Sequence, residues 1–286
     1  MQCDRRTRKK SRHIAAKLIL GILILITAVF FVRKAVLREN PAESAGKKPA
    51  AMSVPASRPR CEAVPATAEP TREEKLDTIC SGSEYPQIMV DFAKRHDVVI
   101  DYVYEYPMRK NERPEIDLSQ EAAGDTVPLL LQWDPRWGYL HYGGSWIGCA
   151  GCGPLCLSMA AIYFNRDPYW SPDRVVAMAE EQGYRVEGSG SSWTLISEGA
   201  ELVGLTAEEL PLMQSRMESE LDSGKLIILV VGPGDFSSSG HFLLVTGYDD
   251  YGFFIHDPNS PENSEKTWPY QRLSSQILNL WAIDRR

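Results

Sequence analysis

Three cysteines stand within eight residues, in Cys149-Ala-Gly-Cys152-Gly-Pro-Leu-Cys156. Read as C-x2-C-x3-C they suggest a metal site. A closed zinc site takes four ligands, however, and no second CxxC, HxH or HExxH supplies the fourth. The other reading makes one of them a nucleophilic thiol and leaves the others as small core residues or a disulfide pair. Cys152 is the candidate. It lies between two glycines, just before an apolar run that opens with Pro154. That is a helix start, where unpaired N–H groups stabilise a thiolate and can hold an oxyanion. The flanking glycines let a substrate backbone approach closely.

A thiol nucleophile needs a base, usually histidine, oriented by a third polar group. His13 belongs to a basic N-terminal tail. His96 ends a surface-type helix beside Lys94 and Arg95 and is expected to be solvated. His141 lies in an aromatic loop, as a packing or substrate-edge residue. His241 follows the glycine- and serine-rich GPGDFSSSG and opens the apolar FLLVTGY, which suits a base facing a cleft. His256 and Asp257 are neighbours on the next strand and should point to opposite faces. A short hairpin, Tyr248 to Gly252, brings the start of one strand near the end of the other. Asp257 can then orient His241 from sixteen positions away. Gln132 precedes a Trp-Asp-Pro turn; its side-chain N–H, with the backbone N–H of Cys152, is expected to form an oxyanion hole.

The elements that must position these residues follow from apolar spacing. YPQIMVDFAKRH (85–96) has helical spacing in Ile88, Met89, Phe92 and Ala93. VVIDYVYEYP, which follows, fits neither period. VPLLLQ (127–132) reads as a short extended lead-in. The run after Cys152 is too long and too rich in small residues for a strand; it predicts a buried helix from near Gly153, with Pro154 in its first turn. Further helices are predicted from Ser171 to Gly183, over 191–204, and over EELPLMQSRMESELDSG to Gly224. The runs 225–231, 241–249 and 252–257 are β-branched and aromatic and predict strands. Helices first and strands second is an α+β order, with helices packed on an antiparallel sheet.

LLQWDPRWGYLHYGG, GCGPLCLSMA, GHFLLVTGYDD and HDPNS, in this order, resemble papain-like cysteine peptidases related to the double-glycine leader peptidases that process bacteriocin precursors. The resemblance covers about 127–286. It implies a papain-like cysteine peptidase fold and a site of Gln132, Cys152, His241 and Asp257, with no cofactor and no metal. Relatives of the best-known kind are fused to an ATP-binding-cassette transporter. This sequence contains no G-x4-GK[ST] loop, so it is most similar to the free-standing, exported members.

The charge is unevenly placed. Residues 1–38 carry ten Lys/Arg and one acid, whereas the rest carry 21 basic and 37 acidic side chains. An acidic body argues against nucleic acid as a partner. The run LILGILILITAVFFV (18–32), extended to Ile14, predicts one N-terminal transmembrane helix. The larger basic cluster lies ahead of it, which places the body outside the cell. A cleaved signal peptide, and hence secretion, is the alternative. Residues 40–75 hold six prolines and eight alanines and hardly any large apolar side chain, as in an extended spacer. Cys61 and Cys80 flank its end and could pair outside the cell.

The expected organisation is a basic tail (1–13), a signal-anchor (14–32), a Pro/Ala-rich linker (33–75), a helical extension (76–126) and a peptidase domain (127–286). The expected function is that of a membrane-anchored extracytoplasmic cysteine peptidase acting on peptide or protein substrates. The alternatives are a thiol acyltransferase or cell-wall peptide amidase on the same fold, and a non-catalytic surface binding module.

Overall fold

The computed structural model describes residues 69–286. The expected anchor, the basic tail, most of the linker, and Cys3 and Cys61 lie outside the described residues. Among the described residues no helix is long and apolar enough to cross a membrane.

Thr71 opens the first helix, α1 (Arg72–Ser81). Its hydroxyl accepts from the Glu74 N–H, and the Glu74 carboxylate accepts from the Thr71 N–H. This capping box is a local device. It starts the helix inside the stretch assigned to the linker, so the structure corrects the expected start near Leu76. Helix α2 (Gln87–Arg95) buries Met89, Phe92 and Ala93, as its spacing predicts, but Val90 takes the buried place expected of Ile88, which is exposed. Helix α3 (Ile100–Arg109) arises from the stretch that fits neither period. Pro107 reads there as a breaker, yet it sits in the last turn while Ile100, Tyr102, Val103 and Tyr106 are buried.

The three helices share one apolar cluster with Tyr139. The Tyr102 and Tyr139 rings stack at 4.6 Å. The Tyr102 hydroxyl donates to Gly138 O (2.8 Å), and the Tyr139 hydroxyl donates to Tyr102 O (2.9 Å). The helical block is thereby fastened to the loop that leads to Cys152.

The predicted buried helix is α4 (Cys152–Asn165), and the next is α5 (Pro172–Glu181). Besides two hairpins of two-residue strands, the strands of the main sheet are β1 (Leu205–Glu209), β2 (Leu226–Val231), β3 (His241–Asp249), β4 (Gly252–His256), β5 (Thr267–Trp268) and β6 (Ile277–Arg285). They form one antiparallel sheet in the order β1-β6-β2-β3-β4-β5. Leu226, Ile228 and Val230 of β2, with Phe242 and Leu244 of β3, join the core built around α4. Ile227, Leu229, Val231, Leu243 and Val245 face a second core that includes Met217 of α6 (Gln214–Asp222). Covered on both faces, β2 is apolar at every position and shows no alternation.

The structure departs from the expected elements in several places. The helix predicted up to Gly224 is a strand, β1, followed by the shorter α6. Glu208 and Glu209 pair with Ala282 and Trp281 of β6, and Pro211 separates the two elements. The 191–204 helix breaks into two single turns, Thr194–Ser197 and Gly199–Leu202. Residues 127–131 find no ladder partner and run as irregular chain. Strands β5 and β6 have no counterpart among the predicted strands; β5 pairs with β4 at the edge, and β6 closes the sheet between β1 and β2.

Candidate active site

Cys152 is the first residue of α4 and is half-buried. At that position its N–H has no carbonyl one turn back within the helix. The turn ahead of it requires glycine at 151, because a Cβ there would lie 2.6 Å from Ile147 O. Burial opposes ionisation of the Cys152 thiol. The His241 charge, a hydrogen bond to the His241 ring, and the Phe242 and Gly153 N–H groups outweigh burial and hold the thiol below its ordinary value.

His241 opens β3 and is buried. Its Nε2 lies 2.7 Å from Asp257 Oδ1, which leaves Nδ1 for the thiol. Register explains the meeting. Leu244 of β3 faces His256 of β4, so the next step along the ladder sets Asp257 opposite Leu243. Asp257 and His241 are then diagonal neighbours on one face. The irregularity of this hairpin falls on β3 between Val245 and Gly247. The alternation of β4 is intact up to Asp257. His256 accordingly turns away and places its Nδ1 3.2 Å from Pro128 O. Burial lowers its pKa.

Burial also disfavours the charged His241, but Asp257 and Cys152 prevail and raise its pKa from 6.5 to about 10. Asp257 is fully buried. Burial would raise its pKa; His241, Asn263 and the Asn259 N–H together lower it. The Asn259 N–H donates to Oδ1 (2.8 Å), and Asn263 Nδ2 donates to Oδ2 (2.8 Å). The Asp257 N–H donates to Ser264 Oγ (2.9 Å). Asn263 and Ser264 belong to a single turn, Pro261–Ser264, capped by Ser260. Sequence reasoning missed these partners. The Ser260-Pro261 helix start was a legible signal for the turn, but nothing local marks Asn263 as a carboxylate partner.

Gln132 lines the same cleft and is buried. Its Nε2 donates to Gly148 O (2.8 Å), and its backbone N–H donates to Pro258 O (2.7 Å). One of its two amide protons is thus engaged and one remains. Its Oε1 is buried without a partner. The structure therefore brings together Cys152, His241 and Asp257, and sets Gln132 in the cleft beside them.

Cys149 and Cys156 are unlike Cys152. Burial pushes the Cys149 thiol up to about 12 and the Cys156 thiol well above its ordinary value. Among the described residues both are free thiols, so no disulfide joins Cys149 to Cys156. Among the described residues no group of three or more His, Cys, Asp or Glu side chains is placed to hold a metal ion.

The cleft measures about 580 Å³. One wall comes from the helical block: Ile88, Phe92, Arg95 and His96 line it. His96 corrects an expectation. It is half-buried, lies 5.2 Å from the Phe92 ring, and has its pKa lowered by desolvation. His141 is exposed, beside Trp146.

A peptidase domain from Streptococcus ComA, a bi-functional ABC transporter involved in a quorum sensing pathway, is similar at 19% identity. It covers 48% of this chain and 93% of its own, with a TM-score of 0.39. A protein of Bacillus anthracis described as a C39-like peptidase is similar at 14% identity. It covers 57% of this chain and 96% of its own, with a TM-score of 0.40. No curated protein matches the sequence. The model of the Peptidase_C39 like family matches residues 125–286, more than half of the chain. The chain belongs to the Peptidase_C39 like family and is a cysteine peptidase.

Proposed function

We propose that the chain is a membrane-anchored, extracytoplasmic cysteine peptidase that hydrolyses peptide bonds through Cys152, His241 and Asp257. The observation that carries this reading is that Cys152, at a helix N-terminus, shares one cleft with His241, whose ring lies 2.7 Å from a fully buried Asp257. Cys152 and His241 rest as thiolate and imidazolium. The thiolate attacks the scissile carbonyl, and the oxyanion that forms is held by the Cys152 backbone N–H and the remaining N–H of Gln132. His241 gives its proton to the leaving amine, and the acyl group stays on sulfur. A water then loses a proton to His241 and attacks the thioester, releasing the acid and restoring the pair. Asp257 holds the imidazole in one orientation and stabilises its charged form throughout. The basic head and the apolar run 14–32 support the anchor and the external placement of the body.

An electrophilic peptide incubated with the full chain at mildly acidic pH should label Cys152, and Cys152→Ser should abolish labelling. Labelling that survives in Cys152→Ser but is lost in Cys149→Ser or Cys156→Ser reassigns the nucleophile. For placement, protease added to intact cells should remove the body and leave a short protected fragment. A body that stays protected until lysis overturns the topology.

A further inference from the structure

The helical block of α1 to α3 precedes the region matched by the family model, which begins at residue 125. Its second helix nevertheless faces the cleft. Ile88, Phe92 and Arg95 follow one another at helical spacing, so they share a face, with His96 directly after the helix. This face lines the cleft along its length, from Ile88 at its start to Arg95 at its end, with Phe92 buried between them. Ile88 is 40% exposed and Arg95 is exposed, so both are open to a third molecule.

Arg95 has donors to spare. Its Nε donates to Asp91 O (3.0 Å) within its own helix, which leaves four of the five guanidinium N–H groups. Among the described residues, no carboxylate lies within 4.0 Å of it. Arg109, Arg136 and Arg216 each hold two, and Arg272 holds one. The second arginine of the cleft, Arg185, already donates through Nε and Nη1 to the carbonyls of Tyr142, Val186 and Gly190, which leaves fewer free donors than on Arg95. Glu187 also lines the cleft but makes no ion pair with Arg95. Arg95 lines the same cleft as Cys149 and Cys152. A fork of free donors, beside an apolar surface and in the cleft that also holds Cys152, fits a carboxylate better than any other peptide group.

We infer that α2 is a substrate-reading wall, in which Arg95 binds a carboxylate of the peptide while Ile88 and Phe92 cover the apolar part beside it. The inference rests on the peptidase reading and adds a preference for an acidic group, read by residues that lie outside the family region. The carboxylate can be an Asp or Glu side chain or the free C-terminus of the peptide.

The test uses the full chain and a pooled set of short peptides randomised at every position, once with free and once with amidated C-termini. Products are identified by mass spectrometry. About ten-fold enrichment of Asp and Glu at one fixed distance from the cut marks a side chain, and loss of cleavage on amidation marks the terminus. Arg95→Glu should turn the preference toward Lys and Arg, and Arg95→Gln should erase it; each preference is a ratio within one variant. Cleavage by the unaltered chain that ignores acid in both sets overturns the inference, as does an unchanged acid preference in Arg95→Glu. Binding of acidic and neutral fluorescent peptides to Cys152→Ala separates the two readings. Acid-selective binding without cleavage of any peptide by the unaltered chain supports Arg95 and sinks the peptidase reading. Cleavage without acid selectivity does the reverse, and the absence of both overturns both.

Discussion

On the sheet side of the cleft His241 and Asp257 are buried, and both Asp257 oxygens and its N–H have partners. On the α2 side Ile88 and Arg95 stand in solvent, and most of the Arg95 donors are unused. The difference tracks what each wall has to do. A charged pair kept out of water persists only if its remaining lone pairs and protons are satisfied. Groups that read a changing ligand must stay open until it arrives. Satisfied networks are rigid, and open ones are adaptable.

The sharpest way to break this contrast is to remove the carboxylate. Asp257→Ala should lower kcat/KM by about 10²–10⁴-fold while the chain stays folded by circular dichroism. An active Asp257→Ala enzyme would show that the buried network is only structural.

The pH dependence comes next. With the pKa of His241 raised to about 10, activity should persist well above the usual histidine range. It should then fall about ten-fold per pH unit beyond that value, as the imidazolium loses its proton. Stability carries the same signature. The contribution of His241 is fully present below its ordinary 6.5 and is lost as pH rises through about 10. Melting temperature should therefore decline across that window, and less steeply in Asp257→Ala.

Asn263→Ala removes one of the hydrogen bonds to Asp257 and leaves the others. It should cost about ten-fold in kcat/KM, and the alkaline fall should keep its shape. Tyr102→Phe tests the junction between the two walls, because its hydroxyl ties the helical block to Gly138. It should cost about 1 kcal/mol in denaturant unfolding. A Cβ at Gly148 would overlap that same hydroxyl, so the junction has little slack. The smallest effect is expected at His256, which contacts Pro128 O and faces away from the thiol. His256→Gln should keep kcat/KM within about three-fold.

Much of the wall that carries Cys152, His241 and Asp257 is set by residues close in sequence. The helix start at Cys152 follows from Pro154 and an apolar run. The pairing of His241 with Asp257 follows from a short hairpin and strand parity, and the structure keeps that parity because its irregularity falls on β3. Such features depend on local backbone preference and on a period of two or 3.6 residues, so the chain itself encodes them.

What tertiary structure decided depends on partners far along the chain. Glu208 and Glu209 are strand residues because β6, some seventy residues later, offers them a ladder that overrides their helical propensity. Gln132 is anchored by the Pro258 carbonyl, from a distant part of the chain, and Trp133 by the Asn259 carbonyl. His96 is drawn from the surface into the cleft because Tyr102 and Tyr139 fold the helical block onto the loop before Cys152. The sequence alone determined which residues could do thiol chemistry and on which elements they stand. Which side chains surround them was decided only when distant segments closed over one cleft, because burial and hydrogen bonding between such segments leave no periodicity in the chain to read.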